Sequence, residues 1–277
     1  MTRFTRTSTE HALSSYSINT LRDALHIRAK EVISLVGAGG KTTLMFALAS
    51  ELKNGKGVVI TTTTTKIFPP SSIDAPHVLT SGDRGEIIDF ILENGADLGH
   101  INLASGRSKA TGKLLGVEPA VIKELIDLEP VRFIIVEADG AARKPLKAPN
   151  PAYEPVIPPS TSLVIPVIGI EALGQALTEK HVFRSEIAVQ LTGLSMGEAI
   201  SAEAIANLIV HPSGIIRGRP AQARVVPFIN KVDLHADLSM ARELAVKVLE
   251  AHHPQIDRVV LGQAQLKPPV REVIFKE

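Results

Sequence analysis

Apolar residues fall into short runs separated by polar, glycine-rich breaks. The runs at 31–36, 58–60, 77–80, 101–104, 131–136, 162–168, 224–229, 258–261 and 270–275 have strand length. Several are apolar without alternation, the pattern of a strand covered on both faces. Helical spacing fills the gaps at 44–52, 85–92, 119–128 and 239–250. Ile18, Leu21, Leu25 and Ile27 predict a short lead-in helix with Asn19 or Thr20 as its N-cap. Residues 1–17 are polar and read as loosely held. Alternating strands and helices predict a three-layer α/β domain over 31–277, with a mostly parallel sheet and residues 1–30 as a lead-in. The stretch 170–220 reads as mainly helical, at 171–173, 181–191 and 201–208, and is expected to form a helical cap. In it His181, Arg184 and Glu186 read as a solvated face, and Ser201 as a helix cap.

The break between 31–36 and 44–52 is Gly37-Ala38-Gly39-Gly40-Lys41-Thr42-Thr43. Strand, glycine turn and helix in this order make a phosphate-binding loop, and with it the fold reads as a P-loop NTPase. Glycines let backbone amides fold around phosphate oxygens, and the helix start adds its positive dipole end. Lys41 is expected to reach the β/γ-phosphates and Thr42 to hold Mg²⁺. In the common G-x-x-x-x-G-K-[ST] pattern the first glycine would fall where this chain has Leu35. The shortened loop resembles the nucleotide loop of the Mur ligases more than that of Ras-like GTPases.

Two later strands end in chemistry. Residues 131–136 run into Glu137-Ala138-Asp139-Gly140, so a buried strand delivers two carboxylates to its carboxyl end. Either is a candidate to hold Mg²⁺. Glu137-x-x-Gly140 also resembles an element of GTPases that drive metal-enzyme maturation. The next loop carries Arg143 and Lys144, candidates to stabilise transferred phosphoryl charge. Residues 224–229 run into Asn230-Lys231-Val232-Asp233, which resembles the Asn-Lys-x-Asp element of GTPases. There the aspartate accepts two guanine N–H bonds and the lysine packs over the base, which favours GTP over ATP. The run Thr61–Lys66 reads either as a half-buried strand or as hydroxyls facing the same site, and Ser105–Lys113 as a basic loop.

Thirty basic residues against 29 acidic ones leave a formal charge of +1, which speaks against nucleic-acid and anionic-membrane partners. No cysteine is present, so disulfides, thiolate zinc sites and a thiol-bound selenium intermediate on this chain are excluded. The first residues lack the apolar core of a signal peptide, and no apolar stretch is long enough to span a bilayer, so a cytoplasmic enzyme is expected.

The residues from Val32 to Thr43, the Thr61–Lys66 run, Val136-Glu137-Ala138-Asp139-Gly140-Ala141 with Lys144-Pro145-Leu146-Lys147, and Asn230-Lys231-Val232-Asp233 together resemble the YqeC-like family, accessory proteins of selenium-dependent molybdenum hydroxylases. The resemblance implies a role in maturing such hydroxylases or their cofactor, with the hydroxylase or its maturation proteins as partners. The residues themselves speak only of nucleotide chemistry. Three activities fit: a Mg²⁺-dependent nucleotide hydrolase or phosphoryl transferase, an ATP-using small-molecule kinase or ligase, and a nucleotide-gated binding partner with negligible catalysis.

Overall fold

The computed structural model describes residues 15–16 and 18–276, so most of the polar segment 1–17 lies outside the described residues. The principal strands are β1 (Glu31–Gly37), β2 (Val58–Thr63), β3 (Val78–Thr80), β4 (His100–Ala104), β5 (Val131–Glu137), β6 (Leu163–Gly169), β7 (Phe228–Asn230), β8 (Arg258–Gly262) and β9 (Val270–Phe275). The longer helices are α1 (Lys41–Leu52), α2 (Arg84–Leu98), α3 (Pro119–Asp127), α4 (Ser185–Thr192), α5 (Ala202–Val210) and α6 (Ser239–Glu250).

These strands join one eleven-stranded sheet in the order Ser15–Tyr16, β9, β8, β7, β6, β1, β5, β2, β4, β3, with Arg224–Val225 beside β6. From β3 to β8 all neighbours are parallel. Among the described residues of this sheet, antiparallel pairing comes from β9 and Ser15–Tyr16. Unbroken apolar runs such as 131–136 suit this arrangement because helices cover both faces. On one face α1 packs Leu44, Met45 and Leu48 onto Ile33, Leu35, Phe133 and Ile135. On the other, α2 and α3 cover Ile60, Ile101 and Ile134, while α5 and α6 cover Val164, Ile168 and Ile229. The molecule is therefore a three-layer α/β fold with a mostly parallel sheet.

Chain order makes β1 the pivot. After β1 the chain builds β2, β3 and β4 on one side, returns as β5 against β1, and then builds β6 to β9 on the other side. Where crossovers change direction, the helices splay and leave a crevice at the carboxyl ends of the strands. The glycine loop leaves β1 at that point.

The lead-in helix is Leu21–Ala24, and Thr20 caps it by accepting from the Asp23 amide. Within 170–220, α5 starts at the Ser201 cap and shares its apolar core with β6, β7 and α6. The helix expected from 181 begins only at Ser185. Val182–Phe183 is instead a strand parallel to Leu146–Lys147, and Arg184 takes a left-handed φ of 62°.

Candidate functional site

The glycine loop has little freedom. Gly39 and Gly40 have φ of 81° and 121°, values that L side chains rarely adopt. A Cβ on Gly39 would collide with the Gly169 backbone, and one on Gly40 with the Asn230 amide. The loop is tied down by its own backbone: Ala38 N–H donates to Val167 O at 2.8 Å and Gly39 N–H to Lys144 O at 3.0 Å. Next, α1 opens at Lys41 with Gly40 as N-cap and no capping side chain. Its first amides, those of Lys41, Thr42 and Thr43, have no intrahelical acceptor and are available to an anion.

The two carboxylates of the acid strand divide the loop between them. Thr42 Oγ1 donates to Glu137 Oε2 at 2.7 Å. Asp139 Oδ2 accepts from Gly37 N–H at 3.1 Å, and its Oδ1 lies 3.0 Å from Lys41 Nζ. Lys41 also donates to Gly37 O at 2.7 Å and stands 3.9 Å from Glu137. Burial raises the Glu137 carboxyl above the usual carboxylate range, against the opposing pull of Lys41 and the Thr42 hydroxyl. Burial works to lower the Lys41 ammonium, but the charges of Asp139 and Glu137 outweigh it and hold the group above its ordinary value.

Behind this pair runs a buried chain of alternating charges that the sequence reading did not single out. Lys147 is 0 % exposed and donates to Gly140 O at 2.6 Å. Its Nζ lies 3.0 Å from Asp139 Oδ2 and 2.7 Å from Glu154 Oε2. Glu154 in turn pairs with Arg184. Burial alone would raise the Glu154 carboxyl, yet hydrogen bonds from Arg184 and Lys147 bring it below the ordinary range. The solvated face expected at Arg184 is thus corrected: its guanidinium is half-buried, stacks 4.3 Å from the Phe183 ring centroid and holds Glu154. The pairing of Val182–Phe183 with Leu146–Lys147 puts it there.

Asn230 reaches the loop from the other side. Its Nδ2 donates to Gly39 O at 2.8 Å, while its Oδ1 accepts from Ala264 N–H at 3.0 Å. Lys231 has a left-handed φ of 66° and ion-pairs with Glu171, a residue outside the predicted set. Asp233 lies exposed on the 3-10 turn Val232–Leu234.

The remaining predicted cations stand further out. Lys144 Nζ donates to Lys180 O at 3.2 Å. Arg143 is exposed, with its guanidinium 5.1 Å from the Phe68 ring centroid, and Lys113 lies over the same ring at 4.6 Å. The hydroxyls of the threonine run are largely committed to backbone carbonyls: Thr62 donates to Leu103 O and Thr63 to Glu137 O within the sheet, and Thr64 to Val156 O beyond it.

So the loop, Lys41, Thr42, Glu137, Asp139 and Asn230 converge, while the side chains of Arg143, Lys144 and Asp233 make no hydrogen bond or ion pair with that cluster, which Lys144 meets only through its backbone carbonyl. No helix among the described residues is long and apolar enough to cross a membrane. The family model described as YqeC protein matches residues 33–186. A relative from Escherichia coli (strain K12), named Uncharacterized protein YqeC, is 33% identical over 246 residues, which cover 86% of this chain and 90% of that protein. No solved structure matches. With half of its length matched by the family model and most of it aligned to that relative, the chain belongs to the YqeC family.

Proposed function

We propose that this chain binds a nucleoside triphosphate with Mg²⁺ on its glycine loop and hydrolyses it. One observation carries the reading: Thr42 and Glu137 are hydrogen-bonded across the mouth of a glycine loop whose lysine is held by Asp139. The donor set suits Mg²⁺, which takes oxygen ligands and is commonly held by one or two carboxylates together with substrate phosphates. Thr42 and Glu137 would hold the ion, whose charge would polarise the terminal phosphate. Among the described residues no group of three or more His, Cys, Asp or Glu side chains forms a cage of its own, so phosphate oxygens and water would complete the shell.

Lys41 would turn from Asp139 to the phosphates, and the free amides at the start of α1 would receive their oxygens. Asp139 would not be stranded, because Lys147 and the Gly37 amide still hold it. Arg143 has no carboxylate partner among the described residues and would be the cation to swing toward transferred charge, whereas the Lys144 ammonium is engaged by Lys180 O. The nucleoside would lie on the Asn230–Asp233 side. The resemblance read from the sequence extends this activity to maturation of selenium-dependent molybdenum hydroxylases, with the hydroxylase or its maturation proteins as partners.

Phosphate release from GTP and from ATP tests the reading. Lys41→Ala and Glu137→Gln should each lower turnover by about a hundredfold, the scale of losing one electrostatic contact to the reacting group. Undiminished turnover in Lys41→Ala would overturn it. The exposed Phe68 with Lys113 and Arg143 beside it favours one second reading, an ATP-using kinase or ligase, for which turnover would rise sharply on adding an anionic acceptor.

A further inference from the structure

The carboxyl end of β6 presents a carboxylate with no task in the scheme above. Glu171 lies in the 3-10 turn Ile170–Ala172, which follows Gly169. Its carboxylate rests against Gly169, where any Cβ would collide with it, and Gly169 in turn packs against Gly39 of the loop. One glycine therefore separates this carboxylate from the phosphate loop. Lys231 grips its Oε1 from the end of β7, from a left-handed backbone that a lysine seldom adopts. The other oxygen, Oε2, is enclosed yet accepts no hydrogen bond, although the side chain as a whole is 28% exposed. Buried polar atoms are nearly always partnered, so an open acceptor beside a ligand loop points to a donor brought by the ligand. Asp233, the carboxylate that sequence spacing favoured, makes no hydrogen bond or ion pair among the described residues.

We propose that Glu171, clamped by Lys231, is the acceptor that reads the nucleoside of a nucleotide bound on the loop. This rests on the nucleotide reading above. A carboxylate takes paired donors, which a nucleoside offers either as the ring N–H and exocyclic amine of guanine or as the hydroxyls of ribose. Lys231 holds Oε1 and leaves Oε2 as the oxygen without a donor.

The test is a binding titration of GTP, ATP and 2′,3′-dideoxy-GTP, each with Mg²⁺, on the wild type, Glu171→Gln, Lys231→Met and Asp233→Ala. Glu171→Gln keeps the shape of the side chain and should weaken the better-bound nucleotide by about tenfold or more, the scale of one charged hydrogen bond; Lys231→Met should weaken the same nucleotide. If guanine is the donor, the GTP-to-ATP ratio falls toward one in Glu171→Gln while dideoxy-GTP binds the wild type as GTP does. If ribose is the donor, dideoxy-GTP binds the wild type as weakly as GTP binds Glu171→Gln. Wild-type affinity in Glu171→Gln, or a preference lost in Asp233→Ala instead, overturns the assignment and leaves the nucleotide reading standing. A wild type that binds none of the three overturns both.

Discussion

Lys147 Nζ lies 3.0 Å from Asp139 Oδ2 and 2.7 Å from Glu154 Oε2, so one buried ammonium joins the acid motif behind the glycine loop to a carboxylate held by Arg184. Three charges out of water are tolerable only as a set, because each desolvated ion needs its neighbour's compensation. The set runs from the loop lysine to the start of α4 and fixes Asp139 in front of Lys41.

Removing the central cation should therefore be costly. Lys147→Met keeps the volume but removes the cation between Asp139 and Glu154, leaving Asp139 to Lys41 and Glu154 to Arg184, which costs about 3–5 kcal/mol on breaking a buried pair. Urea denaturation measures this. The double variant Lys147→Met/Glu154→Gln should recover part of the loss, because one of the stranded charges is then gone. A single variant as stable as the wild type would show that the chain of charges does not hold the structure together.

Asn230 ties the loop to the end of β8 through two hydrogen bonds, one given to Gly39 O and one received from Ala264 N–H. Asn230→Ala leaves both buried backbone groups unpaired, at about 1–3 kcal/mol each. Hydrogen exchange should register the change as faster exchange at Gly39, Gly40 and Ala264, with the centre of the sheet unchanged. Protection equal to wild type at these amides would contradict this role.

His100 gives the fold an acid-sensitive point away from the site. Burial, with Lys53 and His77 nearby, pushes its imidazole down from 6.5 to about 4, and its Nε2 is paired with the Thr61 hydroxyl at 2.9 Å. Between pH 6.5 and 4 the unfolded chain takes up a proton that the folded chain refuses. Stability therefore falls as pH drops through that window, by about 3 kcal/mol in total. His100→Gln should flatten this part of the profile of urea midpoint against pH. Glu154 adds its own loss only lower, as pH falls below its ordinary 4.5 toward its depressed folded value. An unchanged slope in His100→Gln would place the acid sensitivity elsewhere.

What the sequence made legible was local. The glycine loop, the strand ending in Glu137 and the Asn230 turn each sit within a few residues of the apolar run that delivers them, so spacing alone located them. The Thr20 and Ser201 caps were legible for the same reason. Lys147 was not, because nothing in Leu146-Lys147-Ala148-Pro149 separates a buried lysine from a solvated one. Its burial depends on the pairing of Leu146–Lys147 with Val182–Phe183, a contact between distant segments. Arg184 was misread for a related reason: helical spacing was extended through a residue whose left-handed φ ends a strand and starts α4. Glu171 carried no signal beyond its position after β6. The one available clue was general, that a glycine ending a buried strand leaves room for a neighbouring carboxylate.

The central claim is that the loop holds a nucleotide's phosphates with Lys41, and holds Mg²⁺ through Thr42 and Glu137. Calorimetric titration of GTP and of ATP, with and without Mg²⁺, on the wild type, Lys41→Ala and Thr42→Ala tests it most directly. The account predicts saturable binding of at least one nucleotide to the wild type, tighter with Mg²⁺ than without, and weaker by about tenfold or more in each variant. Absence of saturable binding to the wild type, or binding indifferent both to Mg²⁺ and to the loss of Lys41, would contradict it.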